Sequence, residues 1–137
     1  SSDLKRTLLA KGTHPYHYIF WNMSWSPDSR RIVFKGKLDS RHEIAIVHLG
    51  EPPHLRRRFA TKEDMASDLA WSPDGRQIFF SMYSRPHLHQ LIYQLALESN
   101  NPPNVVPEAN TSMPWSHIEI SPDNQFMVLS TAGPNAE

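Results

Sequence analysis

One tripeptide occurs three times and governs what this chain can fold into. Ser26-Pro27-Asp28, Ser72-Pro73-Asp74 and Ser121-Pro122-Asp123 stand 46 and 49 residues apart. Their surroundings recur with them: Trp25, Trp71 and Ile120 precede the three copies, and Ser29, Gly75 and Asn124 follow. Arg31-Ile32-Val33-Phe34, Gln77-Ile78-Phe79-Phe80 and Gln125-Phe126-Met127-Val128-Leu129 come next. The first two copies then run on to Glu43-Ile44-Ala45-Ile46-Val47 and Gln90-Leu91-Ile92-Tyr93-Gln94-Leu95. A repeat of this length confines the chain to arrays in which one supersecondary unit stacks on the next.

The unit is readable in physical terms. Pro presets φ at the second position of a tight turn, Asp bonds the nearby backbone, and Gly accepts φ > 0 at the fourth. Asn124 tolerates that fourth position and Ser29 suits it less well. β-branched and aromatic runs on either side predict strands, so each turn closes a hairpin. Leu55-Arg56-Arg57-Arg58-Phe59 predicts a fourth strand, and residues 4–9 resemble it. Four antiparallel strands at this period make a propeller blade. The predicted fold is all-β: a partial β-propeller with two complete four-stranded antiparallel blades and part of a third. Within a single domain, residues 1–20 hold an outer strand of a preceding or split blade plus a loop. Residues 21–62 form repeat one, 63–111 repeat two and 112–137 an incomplete repeat three.

Composition narrows the function classes. Fourteen Lys and Arg balance 14 Asp and Glu, which argues against a bulk basic surface for nucleic acid. Without cysteine there is no disulfide, thiolate zinc site or cysteine nucleophile. Tyr18-Ile19-Phe20-Trp21 and Ile44-Ala45-Ile46-Val47 are far too short to span a membrane, so no membrane insertion is expected. No Gly-x-Ser-x-Gly or Gly-rich phosphate loop occurs, and no cofactor is expected.

The Trp-Ser-Pro-Asp-Gly turn, the Ile-x-Phe strand after it and the Glu-Ile strand beyond resemble the TolB-type β-propeller repeat. The resemblance runs from about Leu4 to Ser130 and is weaker in the third copy, where Ile120 replaces Trp and Asn124 replaces Gly. It implies a ring of six or more blades and a periplasmic or extracellular setting. The chain is then a piece of a larger propeller, or it completes a ring by self-association through open blade edges. It also invites comparison with propeller lyases that cleave oligogalacturonate through metal-bound histidines, and with the gating propeller of prolyl-oligopeptidase-type peptidases.

Candidate sites divide by recurrence. Asp28, Asp74, Gly75 and Asp123 recur at equivalent positions and are expected to be structural turn residues. Trp25 and Trp71 are expected in the inter-blade core. Arg56-Arg57-Arg58 reads as a charged outer edge that discourages aggregation, and Arg30-Arg31 as solvent decoration. His14 and His17, and His87 and His89, are candidate ligands for Zn²⁺ or Mn²⁺. The remaining histidines, His42, His48, His54 and His117, read as scattered. The irregular segments are the better functional candidates, since loops on a rigid scaffold carry binding residues. Tyr16, His17, Tyr18, Arg85 and His87 are accordingly expected to contact a protein or glycan partner; alternatively, the first segment packs under the open end of the arc.

Overall fold

The computed structural model describes residues 15–20, 22–65, 68–86, 89–107 and 115–131. Strands β1 (Tyr18–Ile19), β2 (Ser24–Trp25), β3 (Arg31–Leu38), β4 (Arg41–His48) and β5 (His54–Thr61) make the first sheet. β6 (Ala70–Trp71), β7 (Gln77–Ser84), β8 (His89–Ala96) and β9 (Asn104–Val105) make the second, and β10 (Trp115–Ile120) with β11 (Met127–Thr131) the third. Every pairing is antiparallel. In the first sheet β1 and β2 both pair with β3, Tyr18 opposite Lys37 and Ser24 opposite Val33. They are two pieces of one inner strand. The sheets are therefore two four-stranded blades and the first hairpin of a third, as the repeat predicts. The resemblance between residues 4–9 and an outer strand lies outside the described residues.

Buried residues face both sides of the first blade's central strands, so Ile44-Ala45-Ile46-Val47 of β4 reads as one apolar run. Val33, Ile44 and Ile46 leave the first blade on one side and meet Met65, Leu69, Trp71, Ile78, Phe80, Met82, Leu95 and Leu97 of the second. Phe80 lies between Phe59 and Tyr93, with ring centroids 6.2 and 5.9 Å away. Each fully buried side chain of this size contributes about 1.5–3 kcal/mol. A smaller cluster joins blade two to the third sheet through Ala70, Phe79, Ile92 and Ile118.

Polar side chains stitch the first two blades together at their rims. Arg58 is buried and donates to Ala96 O at 2.7 Å and Asn101 O at 2.6 Å, while Arg56 reaches Leu97 O at 2.8 Å. A register shift after Ile44 in the β4–β5 pairing accompanies this arrangement. The expectation of a solvated edge is corrected for Arg56 and Arg58: they satisfy carbonyls of the neighbouring blade. Arg57 turns the other way, onto the buried Glu43 at 2.6 and 2.8 Å. Arg31 is not solvent decoration either. Its guanidinium lies 4.9 Å from the Trp71 ring centroid and donates to Gly75 O at 2.9 Å.

The two tryptophans part company. Trp71 is 8% exposed, and its Nε1 donates to Ser24 O of the preceding blade at 3.1 Å. Trp25, expected in the same role, is instead 57% exposed. Its repeat position turns it away from blade two, and among the described residues no sheet covers that side. The same face carries Tyr16, Phe34, Ala45 and Val47.

All three Ser-Pro-Asp turns are built alike. Ser26, Ser72 and Ser121 each donate Oγ–H to the Asp two residues on, at 2.5, 2.6 and 2.6 Å. The same carboxylate oxygen accepts the backbone N–H of Arg30, Arg76 or Gln125 at 3.0–3.1 Å. Ser29, Gly75 and Asn124 all sit at positive φ, between 60° and 72°. These bonds hold Asp28, Asp74 and Asp123 below the ordinary carboxylate range, the serine hydroxyl first and the backbone N–H second.

Candidate binding site at the loop end of the blades

Antiparallel meanders sort their connections onto two ends. The Ser-Pro-Asp turns and the β4–β5 and β8–β9 links share one, the turn end. The opposite, loop end carries segment 15–20, the β3–β4 and β7–β8 hairpins and the connector between β5 and β6. Along it Tyr83 N donates to Asp64 O at 2.9 Å, and Arg85 Nε pairs with Glu63 at 2.9 Å.

Most of the described side chains expected to bind a partner lie here. His17 Nε2 stands 3.4 Å from Asp39 Oδ1, both exposed, and Tyr18 is exposed with its ring edge-on to Phe20 at 5.1 Å. Arg85 is exposed beside Glu63. Tyr16 does not belong with them. It is 7% exposed, packs edge-on to Phe34 at 5.6 Å, and places its hydroxyl 3.3 Å from Glu43. Its ring covers Gly36, where a Cβ would stand 2.5 Å from it, so a residue without Cβ lets the ring lie flat on the strand. Burial and the neighbouring carboxylate push its hydroxyl up to about 12. The expectation of a contact residue is corrected: Tyr16 packs under the open side of the first blade. His14 and His87 lie outside the described residues, and for His89 the backbone alone is described. Among the described residues no group of three His, Asp or Glu side chains is placed to hold a metal ion.

A second set emerges only in three dimensions. Asn22, Asp68 and His117 each stand three residues before the turn-preceding residues Trp25, Trp71 and Ile120. They occupy equivalent places on the loop-end side of the three turns: Asn22 and Asp68 two residues before β2 and β6, and His117 within β10. Asn22 Nδ2 donates to Asp68 Oδ1 at 3.0 Å, and His117 Nδ1 lies 2.7 Å from Asp68 Oδ2. The second imidazole nitrogen faces Glu119 at 3.8 Å. Beneath them the buried Lys35 donates to Met65 O at 3.1 Å and lies 5.3 Å from the centroid of the Phe20 ring. A cleft of about 230 Å³ opens among Asn22, Met23, Ser24, Asp68 and Leu69.

The electrostatics follow from the contacts. The Asp68 hydrogen bond raises the pKa of the His117 imidazole; burial opposes it, and Coulombic attraction to Asp68 and Glu119 adds to the rise. Burial pushes Asp68 up, but the bonds from His117 and Asn22 outweigh it and hold the carboxylate low. Burial draws the Lys35 ammonium down, against the pull of Asp68. The cluster is a hydrogen-bonding, charge-bearing ledge. The signal in the sequence was the offset of three from each turn-preceding residue, which the Ser-Pro-Asp repeats overshadow.

Two comparisons in sequence are blank: no family model matches the chain, and no curated protein matches it. Solved structures do match. The chain is similar to TolB from Acinetobacter baumannii, with a TM-score of 0.62 and 18% identity over 83% of this chain and 27% of that one. A putative TolB from Agrobacterium tumefaciens aligns with a TM-score of 0.68 and 18% identity over 90% of this chain and 42% of the other. The fold is that of a TolB-type β-propeller, and the chain spans less than half the length of either protein.

Proposed function

We propose that the chain is a non-catalytic part of a propeller scaffold that binds a protein partner through its loop end. One observation carries the reading. At equivalent positions of three blades the loop end presents three different side chains, Asn22, Asp68 and His117, where the turn end repeats one network. A repeated residue serves the repeat; a residue that differs at the same place is free to serve recognition. Likeness in fold to TolB supports a protein as partner and the periplasm as the setting, with a glycan as the alternative ligand. The apolar face around Trp25, and Phe126 and Val128 of the third sheet at 69% and 60% exposed, would be covered by further blades. These come from a longer chain or from a second copy, and light scattering over a dilution series separates the two.

The test is site-specific photocrosslinking in the cell of origin. Probes at Tyr18 and Arg85 sample the loop end, and probes at Arg30 and Arg76 the turn end. A defined protein adduct from the loop-end probes alone is expected. Adducts from the turn end alone, or adducts that carbohydrate digestion removes, would overturn the reading.

A further inference from the structure

We propose that His48 and His54 form a two-histidine site for a late first-row divalent metal ion, tightest for Cu²⁺. The two histidines read as scattered in sequence, yet they flank the turn between β4 and β5 and stand directly opposite in the strand register. Directly opposed residues hold their Cβ atoms roughly 4.5–5.5 Å apart. The ring centroids are 6.1 Å apart, tilted by 43°. A metal about 2.0–2.1 Å from one nitrogen of each ring would bring the centroids to roughly 4.5–5 Å. Small rotations about the side-chain torsions of the two residues close that gap.

The surroundings favour the unprotonated form that a metal needs. Burial lowers the pKa of the His48 imidazole, and Arg31, His54 and Arg56 lower it further. His54 is exposed and His48 half-buried, so an ion can reach them from solvent. No hydrogen bond among the described residues engages either ring. Arg31 from β3 and Arg56 from β5 oppose a dication, but both are turned to other partners, Arg31 to Gly75 O and Trp71, Arg56 to Leu97 O and Asn100. That opposition shapes selectivity. Only an ion with high affinity for imidazole nitrogen overcomes two nearby cations, which places Cu²⁺ ahead of Ni²⁺ and Zn²⁺ and excludes Mg²⁺ and Ca²⁺. The pair lies on the side of the first blade that already faces the second, so additional blades would leave it open.

The experiment is a Cu²⁺ titration of the whole chain, followed by calorimetry and by the electron paramagnetic resonance spectrum of the bound ion. Wild type is expected to take up one tightly held equivalent with two nitrogen ligands. His54→Ala and His48→Gln are each expected to weaken it by about tenfold or more, as loss of one of two ligands should. His42→Gln, at the other end of β4, is the control and should leave it unchanged. His54 is exposed and outside the core, so its variant folds and the comparison survives even if His48→Gln loosens the sheet. Copper binding that neither variant weakens, a spectrum without two nitrogens, or no tight equivalent in wild type would overturn the site.

Discussion

The two ends of the blades follow opposite rules. At the turn end the same serine, proline and aspartate are used three times, with hydrogen bonds matching to within a few tenths of an ångström. At the loop end, Asn22, Asp68 and His117 hold one position in three chemistries and bond to one another across the blades. The Ser-Pro-Asp network acts within each hairpin and keeps the repeat foldable, while the bonds that cross between blades at that end come from Arg31, Arg56 and Arg58. The loop end acts between hairpins, where a change in one blade is felt by the next. Substitutions at the turn end should register in stability, and those at the loop end in binding.

The largest expected effect is at the buried turn. Ser72 Oγ donates to Asp74 and accepts the N–H of Gln77 at 3.0 Å, in a residue 2% exposed. Ser72→Ala strips a buried N–H of its acceptor and should cost about 2 kcal/mol. Ser121→Ala, in a turn open to water, should cost about half as much, because water replaces the lost partner. Urea unfolding of both variants measures the difference. Equal costs would mean that burial does not set the weight of these turns.

Next in size is a pair of substitutions with opposite signs. Gly75 at φ 72° carries no Cβ, and one placed there would stand 2.8 Å from Arg31 Nη2. Gly75→Ala should destabilise by about 1–2 kcal/mol, from backbone strain and from displacing the guanidinium that bridges to this turn. Ser29 adopts φ 60° despite its Cβ, so Ser29→Gly should stabilise by up to about 1 kcal/mol. Thermal unfolding of the two variants checks the sign. If both destabilise, the turns are not equivalent and the comparison between copies fails.

Much of this was legible before any coordinates. The repeat spacing yields the blades and the strand order, because Pro and Asp at fixed offsets dictate local turn geometry whatever surrounds them. Local rules could not reach what depends on neighbours in space. Alternation along β5 sends Arg56 and Arg58 the same way, but only the position of blade two shows that this direction leads to carbonyls and not to water. Trp25 and Trp71 share a local pattern and differ because, among the described residues, Trp71 has a preceding blade to pack on and Trp25 has none. Tyr16 read as a contact residue because aromatics in an irregular segment attract that reading; its burial depends on Gly36, twenty residues away in sequence. His48 and His54 were findable: two histidines with five residues between them on a predicted hairpin fall opposite each other.

The smallest effect separates the two ends by pH. Asp28, Asp74 and Asp123 have lowered pKa values. Their stabilisation is complete above the unfolded carboxylate range, about pH 3.9, and is lost as pH falls through the depressed folded values. His117 behaves in the opposite sense. Its pKa is raised, so its contribution is complete below the unfolded value of about 6.5 and is lost as pH rises through the folded one. Because half of its side chain is exposed, solvent screening holds the contribution to no more than about 0.5 kcal/mol. The urea midpoint of wild type should therefore fall slightly between pH 6 and pH 8.5, and that of His117→Gln should fall less. Below pH 4 both proteins should lose stability together, since the turn aspartates are common to them. A slope above neutrality that His117→Gln leaves intact would assign the titration elsewhere and detach His117 from Asp68. A slope that vanishes would make the inter-blade bond the one part of the loop end that also carries stability, and would mark the boundary between the two rules.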